Sequence, residues 1–319
     1  MDSVTQQPEG IAFSPAILLK LCTIHEHRGA EQLACARNPE ALDAYREATM
    51  FQSALAATRM EGMTIGDTRL RCLAREEAEP QSPAERFAMG YLYVWGLIEQ
   101  RYASIRLSPG TIQQLHRDML WYEKAEDAGE WKDETGTPAA IRDLCREYQA
   151  AKRSKDGIPI QSIFVFYRAF TTIAPFERYN TSCANLLLLL LLCQEGYTVG
   201  LHVSLDAALE GNKRKLGNAA KKSKEHAGDE TYAIRMLETL LACYETQTEY
   251  LQRMGQRVSN EARIRAYFDQ IEEPVTKRAI MDANPSMSQK TVERILQKMQ
   301  DEGTIRKIGA ARATRYKRR

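Results

Sequence analysis

The stretch Ile173-Ala-Pro-Phe-Glu-Arg-Tyr-Asn-Thr-Ser-Cys-Ala-Asn185 lies between an aromatic-rich segment, Phe164 to Thr172, and an apolar run, Leu186 to Cys193. The apolar run is far shorter than the roughly 20 residues that span a bilayer, so it reads as a helix buried on all sides. The quoted stretch is then a loop leading from one buried helix into the N-terminus of another. Unsatisfied backbone N–H groups at such an N-terminus favour anions, so an anion there would be held by Arg178 and those amides without magnesium; an ion pair of Arg178 with a neighbouring acid is the other reading.

Outward from this loop the pattern stays helical. Apolar residues recur at spacings of three and four from about Glu40 to Met254, and alternation of strand length is scarce. Helices are expected near 38–60, 84–103, 109–120, 139–151, 160–172, 181–195, 204–220 and 229–254. At 319 residues and 44% hydrophobic content the chain can fill a sizeable core and divide into two or three domains. No internal repeat is visible. The first residues lack a basic segment followed by an apolar one, so no signal peptide is expected.

Four segments, in order, resemble the Fic family. Leu107-Ser-Pro-Gly-Thr-Ile-Gln-Gln-Leu-His-Arg-Asp-Met-Leu120 resembles its early core helix, and Gly129-Glu-Trp-Lys132 its Pro-Gly-x-x-Arg turn. The stretch 173–185 occupies the place of the signature His-Pro-Phe-x-Asp/Glu-Gly-Asn-Gly-Arg-x-x-Arg. Ser204-Leu-Asp-Ala-Ala-Leu-Glu-Gly-Asn-Lys-Arg-Lys-Leu216 resembles the segment that follows it. The resemblance implies a mainly α fold with a Fic-like helical core.

In that register Pro175, Phe176 and Asn180 match, and the chemistry-bearing positions do not. The family's catalytic histidine falls on Ala174, its metal-binding carboxylate on Arg178, its glycines on Tyr179 and Thr181, and its phosphate-binding arginines on Ser182 and Asn185. In the family the histidine takes a proton from a target hydroxyl that attacks the α-phosphate of a nucleotide, usually ATP. Alanine accepts no proton, and general-base assistance is worth about a hundred- to ten-thousand-fold. Glycines permit the turn and close approach that an anion hole needs, and Tyr179 and Thr181 are expected to oppose both. Neither Ser182 nor Asn185 can grip phosphate bidentately, and Arg178 would repel magnesium. No catalytic or metal-ligating residue is therefore assigned, and Arg178, Asn180 and Ser182 stand only as candidate nucleotide contacts. Trp131 to Ile141 leaves little room for the hairpin flap that aligns targets in active members.

Upstream, Ala57-Thr-Arg-Met-Glu-Gly62 resembles the family's inhibitory motif, with Glu61 at the inhibitory position. There that glutamate pairs with the second motif arginine, where Asn185 stands in this chain. A vestigial inhibitory role and an ordinary helix end stopped by Gly62 are both open.

The seven cysteines, at 22, 35, 72, 145, 183, 193 and 243, show no Cys-x-x-Cys spacing, which suits reduced thiols in a cytoplasm. Cys183 inside the motif has no base nearby and reads as a buried apolar residue. None of the five histidines forms a helical pair with acidic company, so no metal site is expected. The basic run Lys213 to Lys224 reads as a solvated helix face and loop.

Charge is unevenly divided. Residues 257–319 hold 15 Lys and Arg against 8 Asp and Glu, a balance of +7; with +2 for the whole chain, the preceding 256 residues carry −5. Ile264, Tyr267, Phe268 and Ile271 share one helical stripe, and Val292, Ile295, Leu296 and Met299 another. A shorter helix, Val275 to Ala283, lies between them and ends at Asn284-Pro285. Ser288 is an N-cap and Gly303 a stop for the last helix, and 304–317 has the pattern of a two-stranded wing. This end resembles a winged helix, a module many Fic proteins carry.

The domains expected are an N-terminal helical region, 1–90, a degenerate Fic-like core, 91–256, and a winged helix, 257–319. Gln289, Lys290 and Arg294 would read base edges of duplex DNA, and Arg312, Arg315 and Lys317 would grip phosphate, as part of a homodimer. Dimerisation or intramolecular docking is the other use open to the module. The function expected is a catalytically inactive Fic-like DNA-binding regulator or interaction scaffold of bacterial type, with no cofactor and no membrane. The alternative is an active nucleotidyl- or phosphotransferase of the protein AMP transferase class, which would require ATP and magnesium.

Overall fold

The computed structural model describes residues 14–37, 42–133, 135–154, 158–222, 228–269, 271, 273–284, 287–309 and 314–318. It is mainly α. The helices are α1 (Pro15–Arg37), α2 (Asp43–Met60), α3 (Asp67–Ala74), α4 (Pro83–Arg101), α5 (Pro109–Met119), α6 (Gly136–Arg153), α7 (Pro159–Ile173), α8 (Asn180–Gln194), α9 (Leu205–Lys222), α10 (Gly228–Asp269), α11 (Lys277–Asp282) and α12 (Gln289–Asp301). An antiparallel hairpin, β1 (Ile305–Ile308) and β2 (Arg315–Arg318), follows. The chain forms two compact units, Met1–Thr248 and Glu249–Arg319.

Local chemistry sets the helix starts. Ser82 and Glu85 close a capping box at the start of α4, with Pro83 in its first turn. Ser108 accepts from Thr111 N–H at the start of α5, and Ser288 from Thr291 N–H at the start of α12. In the first unit α8 is central, packed by α2, α4, α5, α7 and α9, and every residue from Ser182 to Cys193 is buried. Each buried leucine of its 186–192 run contributes roughly 1.5–3 kcal/mol relative to exposure. Gly90 is where α4 meets α5: a Cβ there would stand 1.8 Å from the Met119 carbonyl oxygen, so only glycine allows the approach. One core cluster extends from Ile17 to Tyr244.

Three features differ from the sequence-based expectation. Helix α1 was not expected: it buries Ile17, Ile24 and Glu31 at a spacing of seven while Leu18, Leu19 and Leu33 stay exposed, so its apolar residues do not mark its buried stripe. Helix α3, eight residues long, is too short to show a period. Helix α10 continues to Asp269 rather than stopping near Met254, because a lone Gly255 costs a helix only about 1 kcal/mol.

In the second unit Ile264, Phe268, Ile280, Val292, Ile295, Leu296, Met299 and Ile305 share a separate core. Gly303, at φ +73°, ends α12 where expected. Val275 bridges Tyr316 with reciprocal backbone hydrogen bonds of 2.8 and 2.7 Å, which ties the hairpin to the segment before α11.

Candidate functional site

The loop between α7 and α8 is closed by its own side chains. Asn180 accepts from Phe176 N–H at 2.9 Å and donates to Phe176 C=O at 2.7 Å, a clamp across four residues. Phe176 stacks on His116, with centroids 3.7 Å apart, and on Trp131 at 5.1 Å. His116 accepts from Gly129 N–H through Nδ1 and donates through Nε2 to the Arg178 carbonyl, so the ring is neutral in a fixed tautomer. Burial pushes its pKa down to about 4. Lys132 donates from its backbone to Pro175 C=O and from Nζ to Ile173 C=O, satisfying carbonyls at the end of α7. Asp133 then caps α6 by accepting from Thr135, Gly136 and Thr137 N–H.

Ala174 and Tyr179 both take left-handed backbone conformations, at φ +46° and +58°. The expectation that tyrosine would oppose this turn is thus corrected: the turn is kept at Tyr179, while Thr181 lies inside α8. The cost to a non-glycine residue, about 1–2 kcal/mol, is offset by ring contact with Phe87 at 4.6 Å and a 2.9 Å hydrogen bond from Tyr179 to Glu123.

Arg178 is neutralised within the chain. It donates to Asp127 at 2.6 and 3.2 Å and to Glu123 at 3.2 Å. The guanidinium holds the Asp127 carboxyl below the usual carboxylate range. Neither acid was singled out from sequence, because residues fifty-odd positions away reveal no pairing without the fold.

Ser182 is engaged by Glu61. One Glu61 carboxylate oxygen accepts from Ser182 N–H at 3.1 Å and from Ser182 Oγ at 2.6 Å, so a carboxylate caps the first turn of α8. Glu61 is also the C-cap residue of α2, and Gly62 follows at φ +79°. The glycine stop to the helix is present, and Glu61 reaches the motif at Ser182 rather than at Asn185.

Asn185 turns inward, away from any phosphate role. It donates to Asp206 at 2.8 Å and accepts from Tyr167 at 2.9 Å, and Tyr91 donates to the same Asp206 oxygen at 2.7 Å. Asp206 is 4% exposed, and burial pushes its carboxyl up to about 6 against the hydrogen bonds from Tyr91, Asn185 and Ser53. Sequence reasoning missed Asp206, although it stands in the quoted Ser204-Leu-Asp segment. Cys183 is buried, which raises its thiol far from a reactive value. Among the described residues, no group of three or more His, Cys, Asp and Glu could hold a metal ion, and no helix is long and apolar enough to cross a membrane.

A second candidate surface lies in the C-terminal unit. Gln289, Lys290, Glu293, Arg294, Gln297 and Lys298 are exposed on α12, opposite its buried stripe. Several are tied down: Glu293 pairs with Lys277 at 2.6 Å and accepts from Gln289, and Lys298 pairs with Glu261 at 2.8 Å. Lys290 and Arg294 enter no ion pair among the described residues. The hairpin register sets Arg306 opposite Lys317 and Ile308 opposite Arg315, so these four share one face, while Ile305 and Tyr316 on the other face meet the core. Arg306 was missed from sequence, where register is invisible. Arg312 lies outside the described residues.

The fold has counterparts among solved structures. The chain is similar to a Fic family protein from Desulfovibrio desulfuricans, at 14% identity and a TM-score of 0.65 over 98% of each chain. It is also similar to Fic-1 from C. elegans, at 16% identity and a TM-score of 0.59, covering 76% of this chain and 73% of that one. A Fic domain containing signaling protein from Bacteroides thetaiotaomicron matches at 18% identity and a TM-score of 0.52, over 75% of this chain and 94% of that one. No protein-family profile and no curated protein sequence matches the chain. The chain has the Fic fold. At these identities the likeness is one of fold, and the motif side chains must be judged on their own contacts.

Proposed function

We propose that this Fic-fold protein does not transfer nucleotides and acts through a C-terminal winged helix that binds duplex DNA, as a regulator or interaction scaffold. Loss of transfer is supported most by Glu61, whose carboxylate occupies the α8 N-terminus where a transferred phosphate would need the backbone N–H groups. The residues present do not fit a magnesium nucleotide. Arg178 stands at the carboxylate position and is already paired with two acids, and Ala174 offers no base. Asn180 and Ser182, the other candidate nucleotide contacts, are engaged by Phe176 and Glu61. Incubation with labelled ATP, magnesium and cell lysate is expected to label no protein, and Ala174→His alone to restore nothing. Labelling abolished by substitutions in this loop would refute the reading.

The DNA reading rests on the wing. Like charges directly opposite on a hairpin are destabilising, yet Arg306 faces Lys317 with Arg315 beside them. A polyanion relieves that repulsion, and phosphate contacts dominate duplex affinity. Lys290 and Arg294 would reach base edges, while Gln289, held by Glu293, would need to exchange partners. Gel shifts of the full chain at two salt concentrations test this: retardation of duplex DNA that weakens steeply with salt is expected, and no retardation at low salt would leave the module as an interaction surface.

A further inference from the structure

The stretch Gln289 to Glu302 divides its charges evenly. It holds three bases, Lys290, Arg294 and Lys298, and three acids, Glu293, Asp301 and Glu302, whereas the chain from Gly303 onward holds seven bases and no acid. Helix α12 therefore adds no net attraction for a phosphate backbone, and the wing supplies it. Asp301 and Glu302 stand at the C-terminal end of α12. Glu293 is the one acid in its N-terminal half, the half that meets base edges when such a helix enters the major groove.

The Glu293 carboxylate is held by one oxygen only. Lys277 Nζ, from the first residue of α11, and Gln289 Nε2, one turn earlier in α12, both donate to Oε1, at 2.6 and 2.9 Å. Oε2 accepts no hydrogen bond among the described residues, and the side chain is 47% exposed. Donors from two helices thus fix the group before any ligand arrives and leave it a charged acceptor to spend. Lys290, three residues before Glu293, and Arg294, directly after it, are exposed and enter no ion pair among the described residues.

We propose that Glu293 selects cytosine at one position of the duplex site, an inference that rests on the reading of this module as a DNA binder. A carboxylate only accepts hydrogen bonds, so it needs a donor on the base edge. In the major groove guanine and thymine present acceptors, and adenine sets its N6 donor beside the N7 acceptor. Cytosine presents the N4 amino group with no acceptor of its own beside it. Glu293 Oε2 accepts from cytosine N4, while Lys277 and Gln289 keep their bonds to Oε1 as positioning residues. Lys290 and Arg294 carry donors only, which suits guanine O6 and N7 close by.

Selection by the full chain from a duplex pool with a randomised core, followed by gel-shift competition, tests this. One position of the selected site should be cytosine, and a duplex with any other base there should bind about fivefold or more weakly. Glu293→Ala should flatten the preference at that position alone. Glu293→Gln, which keeps an acceptor for Lys277 and gains a donor, should move it toward adenine, and this variant decides if Glu293→Ala does not fold. A selected site without such a position, or a preference unchanged in either variant, overturns the proposal. So does equal weakening of Glu293→Ala on every sequence, the result for a mere tie between α11 and α12. Parent binding that is equal for all sequences overturns the proposal and leaves the DNA reading intact, whereas failure of the parent to shift any duplex at low salt overturns both.

Discussion

The motif loop and the C-terminal wing treat their polar side chains in opposite ways. In the loop Asn180 clamps Phe176, Arg178 meets Glu123 and Asp127, Ser182 meets Glu61, and Asn185 meets Asp206. On the wing Arg306, Arg315 and Lys317 share a face with no acid on either strand. Polar groups paired inside a chain hold the fold together, whereas like charges gathered on a surface do nothing for it. Substitutions in the loop should therefore lower stability, and substitutions on the wing should not.

The largest effect is expected at Asp206. Its folded-state carboxyl, at about 6, lies above the ordinary value of 3.8. Between those values the folded chain keeps a proton that the unfolded chain releases, so this group's contribution is fully present below the unfolded pKa and is lost as pH rises through about 6. The change is up to roughly 3 kcal/mol. Urea unfolding from pH 4 to 7 should show this fall, and Asp206→Asn, which keeps an acceptor for Tyr91 and Asn185, should flatten it. An unchanged pH profile in the variant would mean that Asp206 does not carry the raised carboxyl pKa.

Next is Asn180→Ala, which leaves Phe176 N–H and C=O without their partner and should cost about 2 kcal/mol in urea unfolding. Glu61→Ala removes the carboxylate cap from α8 and should cost about 1 kcal/mol; Glu61→Gln separates hydrogen bonding from charge by keeping the first. A Glu61→Ala protein as stable as the parent would deny the cap any structural weight. Arg178→Ala should cost under about 1 kcal/mol, because the Arg178 side chain is 41% exposed and solvent screens its pairs. Its clearer sign is at low pH. Arg178 lowers the Asp127 pKa, which contributes stability above the ordinary carboxylate value that is lost as pH falls through the folded value. The variant should lose less stability on acidification than the parent.

This contrast explains what sequence could and could not reveal. The α-helical class, the buried Leu186–Cys193 helix, the Ser288 cap and the Gly303 stop follow from period and local chemistry, and the structure has them. Arg178 could be seen to be unsuited to magnesium, yet its partners Glu123 and Asp127 could not be found, because tertiary folding alone brings them together. Tyr179 shows the opposite failure: a residue-type rule argued against a left-handed turn that side-chain contacts sustain. Arg306 was overlooked because its place on the basic face depends on strand register, which charge counting does not reveal. Helix α1 escaped notice because its buried stripe includes Glu31 while three of its leucines face outward.

The most direct test is the salt dependence of duplex DNA binding by the full chain, compared with a variant carrying Arg306→Gln, Arg315→Gln and Lys317→Gln. The parent should bind with a steep dependence on salt. The triple variant should bind all duplexes more weakly, with a log–log slope shallower by about two to three, while its urea stability stays within about 0.5 kcal/mol. Equal slopes for parent and variant, or no binding by the parent at low salt, would contradict the account.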